Sequence, residues 1–168
     1  YSPKEFSILT PPETGKSFED NSFIKASYFS KKTNLICLSD DSGLTIDLLK
    51  GKPGIYSSRW GSNKKNFNLA IKKVFKEMQK IKKNWENYNA AQFICCMTIF
   101  WPNGKSYTYK GIIKGQISIK KKGKNGFGYD PIFIPNGYNQ TFGEMESKLK
   151  ISIDHRFKAF SKIKKFFI

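Results

Sequence analysis

The sequence is organised around the stretch Ser39-Asp40-Asp41-Ser42-Gly43-Leu44, which places two adjacent carboxylates between two short apolar runs. Residues 35–38 form the run before it, and residues 44–48 form an alternating run after it. Such runs are typical of strands, so we expect the carboxylates where a strand ends and turns. Because Asp, Ser and Gly all favour turns, a solvated turn is the simpler interpretation. The alternative is a cation site, since the chain has 30 basic but only 13 acidic residues.

Length and composition indicate a single globular domain. The chain has 168 residues, of which 39% are hydrophobic and 15% aromatic, and this composition excludes an intrinsically disordered chain. No apolar run is long enough for a membrane span, which predicts a soluble protein. The three cysteines, Cys37, Cys95 and Cys96, lie in apolar runs without zinc-ligand spacing. They predict buried, reduced thiols and a cytoplasmic location.

The formal net charge of +17 is consistent with nucleotides or nucleic acids as partners, and charge alone does not choose between them. Nearly all of the positive charge comes from lysine, because Arg59 and Arg156 are the only arginines. A nucleic-acid-binding surface usually uses more arginine, whose planar group makes bidentate and stacking contacts. The composition therefore argues against a specific nucleic-acid partner.

Helical and strand patterns are mixed along the chain. Ser17, with Asp20 three residues later, has the spacing of a helix N-cap. The patterns predict helices over residues 17–31, 63–82 and 147–165, and strands over 35–38, 44–48, 91–100, 106–119 (broken near Gly111 and Gly115) and 131–134. Together these predict an α/β (mixed α+β) fold with an elongated mixed sheet flanked by helices.

A carboxylate set near the N-terminus is the first candidate for chemistry. Adjacent residues of a strand point to opposite faces, so Asp40 and Asp41 are expected to do different jobs unless the turn has begun. One of them could face a metal or a water while the other supports it, with Glu13 as a further acid. A hard ion such as Mg²⁺ needs few protein carboxylates when the substrate brings phosphates.

The glycine-rich segment from Lys120 to Asp130 is the second candidate. Its glycines allow a ligand to approach the backbone, and its lysines can attract phosphates. Phe127 and Tyr129 offer aromatic faces on which a base could stack. The alternative is a flexible surface loop with exposed lysines.

The third candidate is Asp154-His155-Arg156, which contains the only histidine and one of the two arginines. An arginine in a lysine-rich chain suggests a position where planar geometry matters, such as recognition of a carbonyl or phosphate oxygen. The alternative is a histidine on a helix surface with Arg156 paired to Asp154.

Five blocks of the chain, in order, resemble the inosine triphosphate pyrophosphatase family of noncanonical purine nucleoside triphosphate pyrophosphatases. The blocks are Glu13-Thr14-Gly15 with Ser17-Phe18, Asn21 and Lys25-Ala26; Asp40-Asp41-Ser42-Gly43-Leu44; Pro53-Gly54-Ile55-Tyr56-Ser57-Ser58-Arg59; Gly126-Phe127-Gly128-Tyr129-Asp130-Pro131-Ile132-Phe133; and Lys150 with His155-Arg156.

This resemblance implies a Mg²⁺-dependent enzyme that cleaves ITP, dITP and XTP between the α and β phosphates. It also implies a homodimer whose two-lobed subunits have a central nucleotide-binding cleft. Asp41 would bind the metal and act as the base for the attacking water, with Glu13 and Asp40 as further metal ligands. The residues implied to contact substrate are Lys25, Ser42, Phe127, Gly128, Tyr129, Asp130, Lys150, His155 and Arg156.

Donors from His155 and Arg156 would favour a 6-oxo purine, because adenine presents an amino donor at that position. The alternatives are a pyrophosphatase for other modified nucleotides and a basic nucleic-acid-binding module without catalysis.

The chain departs from the family pattern in two places that bear on the site. Family members open with a strand and a Thr-Gly-Asn loop followed by Lys, and nothing before Glu13 matches these features. Because the first residue is Tyr1, we expect that this N-terminal segment is missing. Asp154 stands where the family usually has Ser, and its carboxylate could pair with Arg156 and alter the base pocket.

Overall fold

The computed structural model describes residues 1–61 and 66–167, so the predicted helix start at residue 63 lies outside the described residues. Its helices are α1 (Phe18–Thr33), α2 (Phe67–Ile81), α3 (Ser147–Ile153) and α4 (His155–Ile163). Its strands are β1 (Cys37–Ile46), β2 (Ala90–Phe100), β3 (Ser106–Ile117) and β4 (Phe133–Pro135). A 3₁₀ turn over Gly54–Arg59 follows β1 and contributes to the site described below.

The four strands form one sheet in the order β1-β2-β3-β4, and each pair is antiparallel. The register places Asp40 opposite Met97 and Asp41 opposite Cys96. The predicted α+β class is confirmed. The strand directions differ from the mixed sheet that we expected, because all pairings among the described strands are antiparallel.

Helices cover both faces of the sheet. On one face, Ser22 of α1 hydrogen-bonds Thr98 of β2 at 2.8 Å between the hydroxyl oxygens. On the other face, α4 packs against Gly111 of β3, which pairs with Cys95. Cys95 and Thr98 are separated by an odd number of residues along β2, so they point to opposite faces. The main buried cluster lies where α2 meets the sheet, and it includes Leu44, Ile46, Val74, Met78, Phe93, Ile113 and Phe133.

The acidic stretch is not a turn. Strand β1 runs without interruption from Cys37 to Ile46, so the predicted turn at residues 39–43 is wrong. Strand β3 is also continuous through the two glycines at which a break was expected. A Cβ at Gly111 would lie only 2.1 Å from the His155 carbonyl oxygen. Glycine is required there because the backbone of α4 approaches the strand so closely.

Two helix boundaries depend on side-chain caps. The hydroxyl of Ser17 accepts a hydrogen bond from the Asp20 amide at 3.0 Å, which confirms the predicted N-cap of α1. The predicted helix over 147–165 is instead two helices. Asp154 is extended (φ −71°, ψ 172°), and its Oδ1 accepts from the Phe157 amide at 2.8 Å. This residue therefore ends α3 and caps α4.

The expectation of buried thiols holds for two cysteines. Cys95 and Cys96 are buried, and burial raises the pKa of each thiol to about 12. Cys37 is only half-buried. Among the described residues, no helix is both long and apolar enough to span a bilayer.

Candidate active site

A cavity of about 310 Å³ lies between β1, the Gly54–Arg59 turn, the glycine-rich loop and the start of α4. Its volume is at the lower end of the range for small-molecule sites. The structure brings eight of the predicted substrate-binding residues into its lining: Ser42, Phe127, Gly128, Tyr129, Asp130, Lys150, His155 and Arg156. Four segments that are far apart in sequence therefore meet at one cavity.

Asp130 fixes the shape of the glycine-rich loop. Its Oδ2 accepts from the Phe127 amide and from Lys150 Nζ, both at 2.7 Å. Gly126 has φ +71°, and a Cβ there would lie 2.0 Å from the same oxygen. Burial raises the pKa of Asp130, and the hydrogen bond and charge of Lys150 oppose that rise. In this structure the carboxylate therefore orders the loop through bonds to protein groups.

The two aromatic residues of the loop have different environments. Phe127 is 60% exposed, and Lys150 Nζ lies 5.0 Å from its ring centroid. Tyr129 is only 2% exposed, and its hydroxyl donates to the Ser57 carbonyl at 2.9 Å. Its ring also meets Phe67 edge-on at 5.6 Å. Phe127 is therefore the one of these two predicted stacking residues whose ring is open, while Tyr129 is part of the cavity wall.

His155 is buried in the cavity wall and is not on a helix surface. It is 4% exposed, and its ring stacks on Phe93 with centroids 4.8 Å apart. Burial, together with the nearby positive charges of Arg156 and Lys150, lowers its pKa to about 3. The imidazole is therefore neutral at physiological pH. Its Nδ1 is buried and has no hydrogen-bond partner among the described residues.

Arg156 pairs with Asp40 and not with Asp154. The guanidinium donates to Asp40 Oδ2 from Nε at 3.2 Å and from Nη2 at 2.9 Å. Ser42 also donates to this oxygen, at 2.7 Å. Burial works against ionisation of Asp40, but the charge of Arg156 and these hydrogen bonds hold its pKa below the usual value. The pairing with Asp154 that we considered from sequence is wrong, because that carboxylate caps α4.

A second charged cluster lies on the other side of β1. Lys25 Nζ is 3.0 Å from Glu13 Oε1 and 2.9 Å from Asp41 Oδ1. Arg59 Nη1 donates to Glu13 Oε2 at 3.1 Å, and Asn21 Nδ2 donates to Asp41 Oδ2 at 3.3 Å. The two adjacent acids of β1 therefore belong to different clusters, because successive side chains of a strand point to opposite faces.

Burial affects the ionisable groups of this cluster differently. Burial raises the pKa of Asp41, and the hydrogen bond and charge of Lys25 only partly offset the rise. Glu13 is also desolvated, but its bonds to Lys25 and Arg59 outweigh burial and lower its pKa. Burial disfavours the charged form of Lys25, and the two carboxylates outweigh this and raise its pKa. The same environment therefore raises the pKa of Asp41 and lowers that of Glu13.

The donor set at Glu13 and Asp41 fits a hard cation. Their carboxylates converge on one positive centre, the ammonium of Lys25. Carboxylate oxygens are the protein ligands that Mg²⁺ prefers, and substrate phosphates can complete its coordination. Asp40 does not join this set, because it lies on the opposite face with Arg156. Among the described residues, no group of three or more acids, histidines or cysteines is arranged to hold a metal, so the expected set of three carboxylates is not assembled.

Two polar residues of the site were not among the predicted site residues. Arg59 bonds Glu13, and Asn21 bonds Asp41. Arg59 could have been found, because the argument that singled out Arg156 applies equally to the other arginine of the chain. The wall residues Phe67 and Phe93 gave no comparable signal, since only the tertiary fold brings them to the cavity.

Fold and site together define an α+β protein with a ligand cavity beside a carboxylate–lysine cluster. The model described as "Ham1 family" matches residues 2–166, so the chain belongs to the Ham1 family. This confirms the resemblance predicted from the sequence blocks.

Among similar curated proteins, the one named dITP/XTP pyrophosphatase from Oceanobacillus iheyensis is 42% identical over 159 residues, covering 95% of this chain and 79% of the relative. The dITP/XTP pyrophosphatase of Bartonella quintana is 39% identical over 170 residues, with the same two coverages. Two solved structures of Ham1 proteins are also similar to this chain. A HAM1 protein from Coxiella burnetii superimposes with a TM-score of 0.90 at 34% identity, covering 98% of this chain and 83% of the other. The Staphylococcus aureus Ham1 protein gives 0.89 at 32% identity, with the same coverages.

Proposed function

We propose that this protein hydrolyses the noncanonical purine nucleoside triphosphates ITP, dITP and XTP to the monophosphate and pyrophosphate, and so cleanses the nucleotide pool. One observation carries the proposal. Residues 40–42 of β1 contact a carboxylate–lysine cluster on one face of the sheet and a cavity lined by Phe127, His155 and Arg156 on the other. A single short segment can therefore organise both the charged and the aromatic parts of a nucleotide. The relatives named dITP/XTP pyrophosphatases support this assignment.

The cavity suits a purine with an oxygen at position 6. Arg156 and Lys150 bring hydrogen-bond donors to its wall, and Phe127 offers an open ring on which a base can stack. A 6-oxo group accepts from such donors, whereas the 6-amino group of adenine cannot. Each donor left without a partner costs about 1–3 kcal/mol, which favours ITP and XTP over ATP.

The charged cluster is proposed to act on the triphosphate. Glu13 and Asp41 would hold Mg²⁺, which neutralises phosphate charge when it is bound. Lys25 lies between these carboxylates and would then contact the phosphates. Asp41 is proposed to accept the proton of the attacking water. A carboxylate can accept that proton and orient the water for attack.

We also propose other properties that the family resemblance implies. They are Mg²⁺ dependence, a homodimer and a cytoplasmic location. The chain spans 79% of the length of the two relatives cited above.

The test is product analysis with the complete gene product and Mg²⁺. ITP and XTP are expected to give one pyrophosphate per monophosphate, with kcat/KM exceeding that for ATP by about tenfold or more, the equivalent of one or two lost donor contacts. Release of inorganic phosphate and a diphosphate would contradict the proposed cleavage. Higher activity on another modified nucleotide would favour that substrate, and salt-sensitive RNA binding without turnover would favour a nucleic-acid-binding module.

A further inference from the structure

Asp40 and Asp41 are neighbours in sequence, but they contact different helices. Asp41 receives hydrogen bonds from Lys25 and Asn21 of α1. Asp40 receives its bonds from Arg156 of α4. Asp40 is therefore bonded to a residue that lines the cavity, whereas Asp41 belongs to the charged cluster.

Asp40 holds the guanidinium of Arg156 from one side. Its Oδ2 accepts from Nε and Nη2, and the Ser42 hydroxyl donates to the same oxygen. On another side, the guanidinium carbon lies 5.3 Å from the ring centroid of Phe127. Among the described residues, both hydrogen bonds of the guanidinium go to Asp40 and none comes from Nη1. The fixed arginine thus keeps donors available at the cavity that it lines.

We propose that Asp40 is a positioning residue that sets the base selectivity of the cavity through Arg156 and takes no part in metal binding. This inference rests on the proposed function. A long arginine side chain loses rotamer freedom when it binds a ligand, and a partner that fixes it beforehand removes part of that cost. Asp40 also compensates the charge of Arg156, so the arginine acts as a directed hydrogen-bond donor and attracts other anions less.

The first experiment compares Asp40→Asn with the unaltered protein. KM for ITP is expected to rise by about tenfold, which corresponds to about 1.4 kcal/mol of lost binding, and the ITP-to-ATP ratio of kcat/KM is expected to fall. The Mg²⁺ concentration for half-maximal activity is expected to stay the same. Asp47→Asn is the matched control, because it removes an exposed carboxylate just after β1. Thermal unfolding of each variant shows whether the change acts only on stability.

A double-mutant cycle with Arg156→Ala separates action through the arginine from other roles. Once Arg156 is absent, Asp40→Asn is expected to cause no further loss of ITP selectivity. A higher Mg²⁺ requirement in Asp40→Asn, or a full additional loss in the Arg156→Ala background, would overturn the inference. So would ITP selectivity that survives in Asp40→Asn. If the unaltered protein released no pyrophosphate from any purine triphosphate, the proposed function itself would be refuted and this inference with it.

Discussion

At the level of single residues, the surroundings give similar side chains different chemistry. Asp41 has a raised pKa because burial outweighs its bond to Lys25, whereas the charge of Arg156 keeps the pKa of Asp40 low despite burial. His155 shows the same dependence on its surroundings. A histidine enclosed by the cavity wall and two cations is neutral, so it can take part in recognition without adding charge.

The buried histidine makes stability depend on pH. Its pKa is about 3 in the folded protein, against 6.5 for an unperturbed histidine, so between these values the unfolded chain holds a proton that the folded chain lacks. The contribution of His155 to the free energy of unfolding is complete above pH 6.5. It is lost as the pH falls from there towards 3, by up to about 1.4 kcal/mol per pH unit. Urea unfolding of the unaltered protein and of His155→Gln between about pH 5 and pH 7.5 measures it. The free energy of unfolding is expected to change less steeply with pH in the variant than in the unaltered protein. Equal slopes would show that the buried histidine is not the cause of the pH dependence.

Residue type and the family blocks singled out candidate residues from the sequence. Arg156 was singled out because arginine is rare in this chain, and Asp41 was singled out as a base through the family blocks. The true partner of Arg156 could not be found, because Asp40 lies 116 positions away and only the packing of α4 on the sheet brings them together. The role of Asp154 was missed for a similar reason, since a carboxylate can either pair with a neighbour or cap a helix.

At the level of elements, local pattern predicted α1 and α2 better than it predicted β1. Helix α1 begins at the predicted cap, and α2 buries Ala70, Ile71, Val74 and Met78 at helical spacing. The predicted turn at residues 39–43 was wrong because the low strand propensity of Asp and Gly is a weak preference that strand pairing and side-chain contacts can override. Here β2 supplies backbone partners, and Lys25 and Arg156 bond the two acids from opposite faces.

The cap between α3 and α4 provides a prediction at this scale. Asp154→Ala removes the acceptor for the Phe157 amide and is expected to lower the free energy of unfolding by about 1 kcal/mol. Asp154→Ser keeps a cap and is expected to stay within about 0.5 kcal/mol of the original. Urea unfolding at pH 7 measures both variants. Equal losses in the two variants would show that capping is not what Asp154 contributes.

At the level of the whole molecule, the positive charge is expected to accelerate the encounter with an anionic substrate. With a net charge of +17, kcat/KM for ITP is expected to fall by about tenfold or more between about 0.02 M and 0.3 M salt, because salt shortens the range of the attraction. The value of kcat at saturating ITP is expected to change little. Initial rates across a KCl series check this, and a kcat/KM that does not depend on salt would contradict it.

The arrangement of the whole molecule explains why the site draws on five sequence blocks that are far apart along the chain. The sheet carries the charged cluster against α1 and the cavity against α4, so residues from Glu13 to Arg156 contribute to one region. Order and spacing in the sequence predicted that these blocks belong together. They could not predict that β1 would divide the two acids between its faces.

Asp41 is proposed to be the catalytic carboxylate of a pyrophosphatase. The most direct measurement is pyrophosphate release from ITP by Asp41→Asn, with Mg²⁺ and with the complete gene product. The substitution keeps the size of the side chain but removes the base, and turnover is expected to fall by about 10²–10⁴-fold while the protein remains folded. Pyrophosphate release at the rate of the unaltered protein would show that Asp41 is not the catalytic carboxylate.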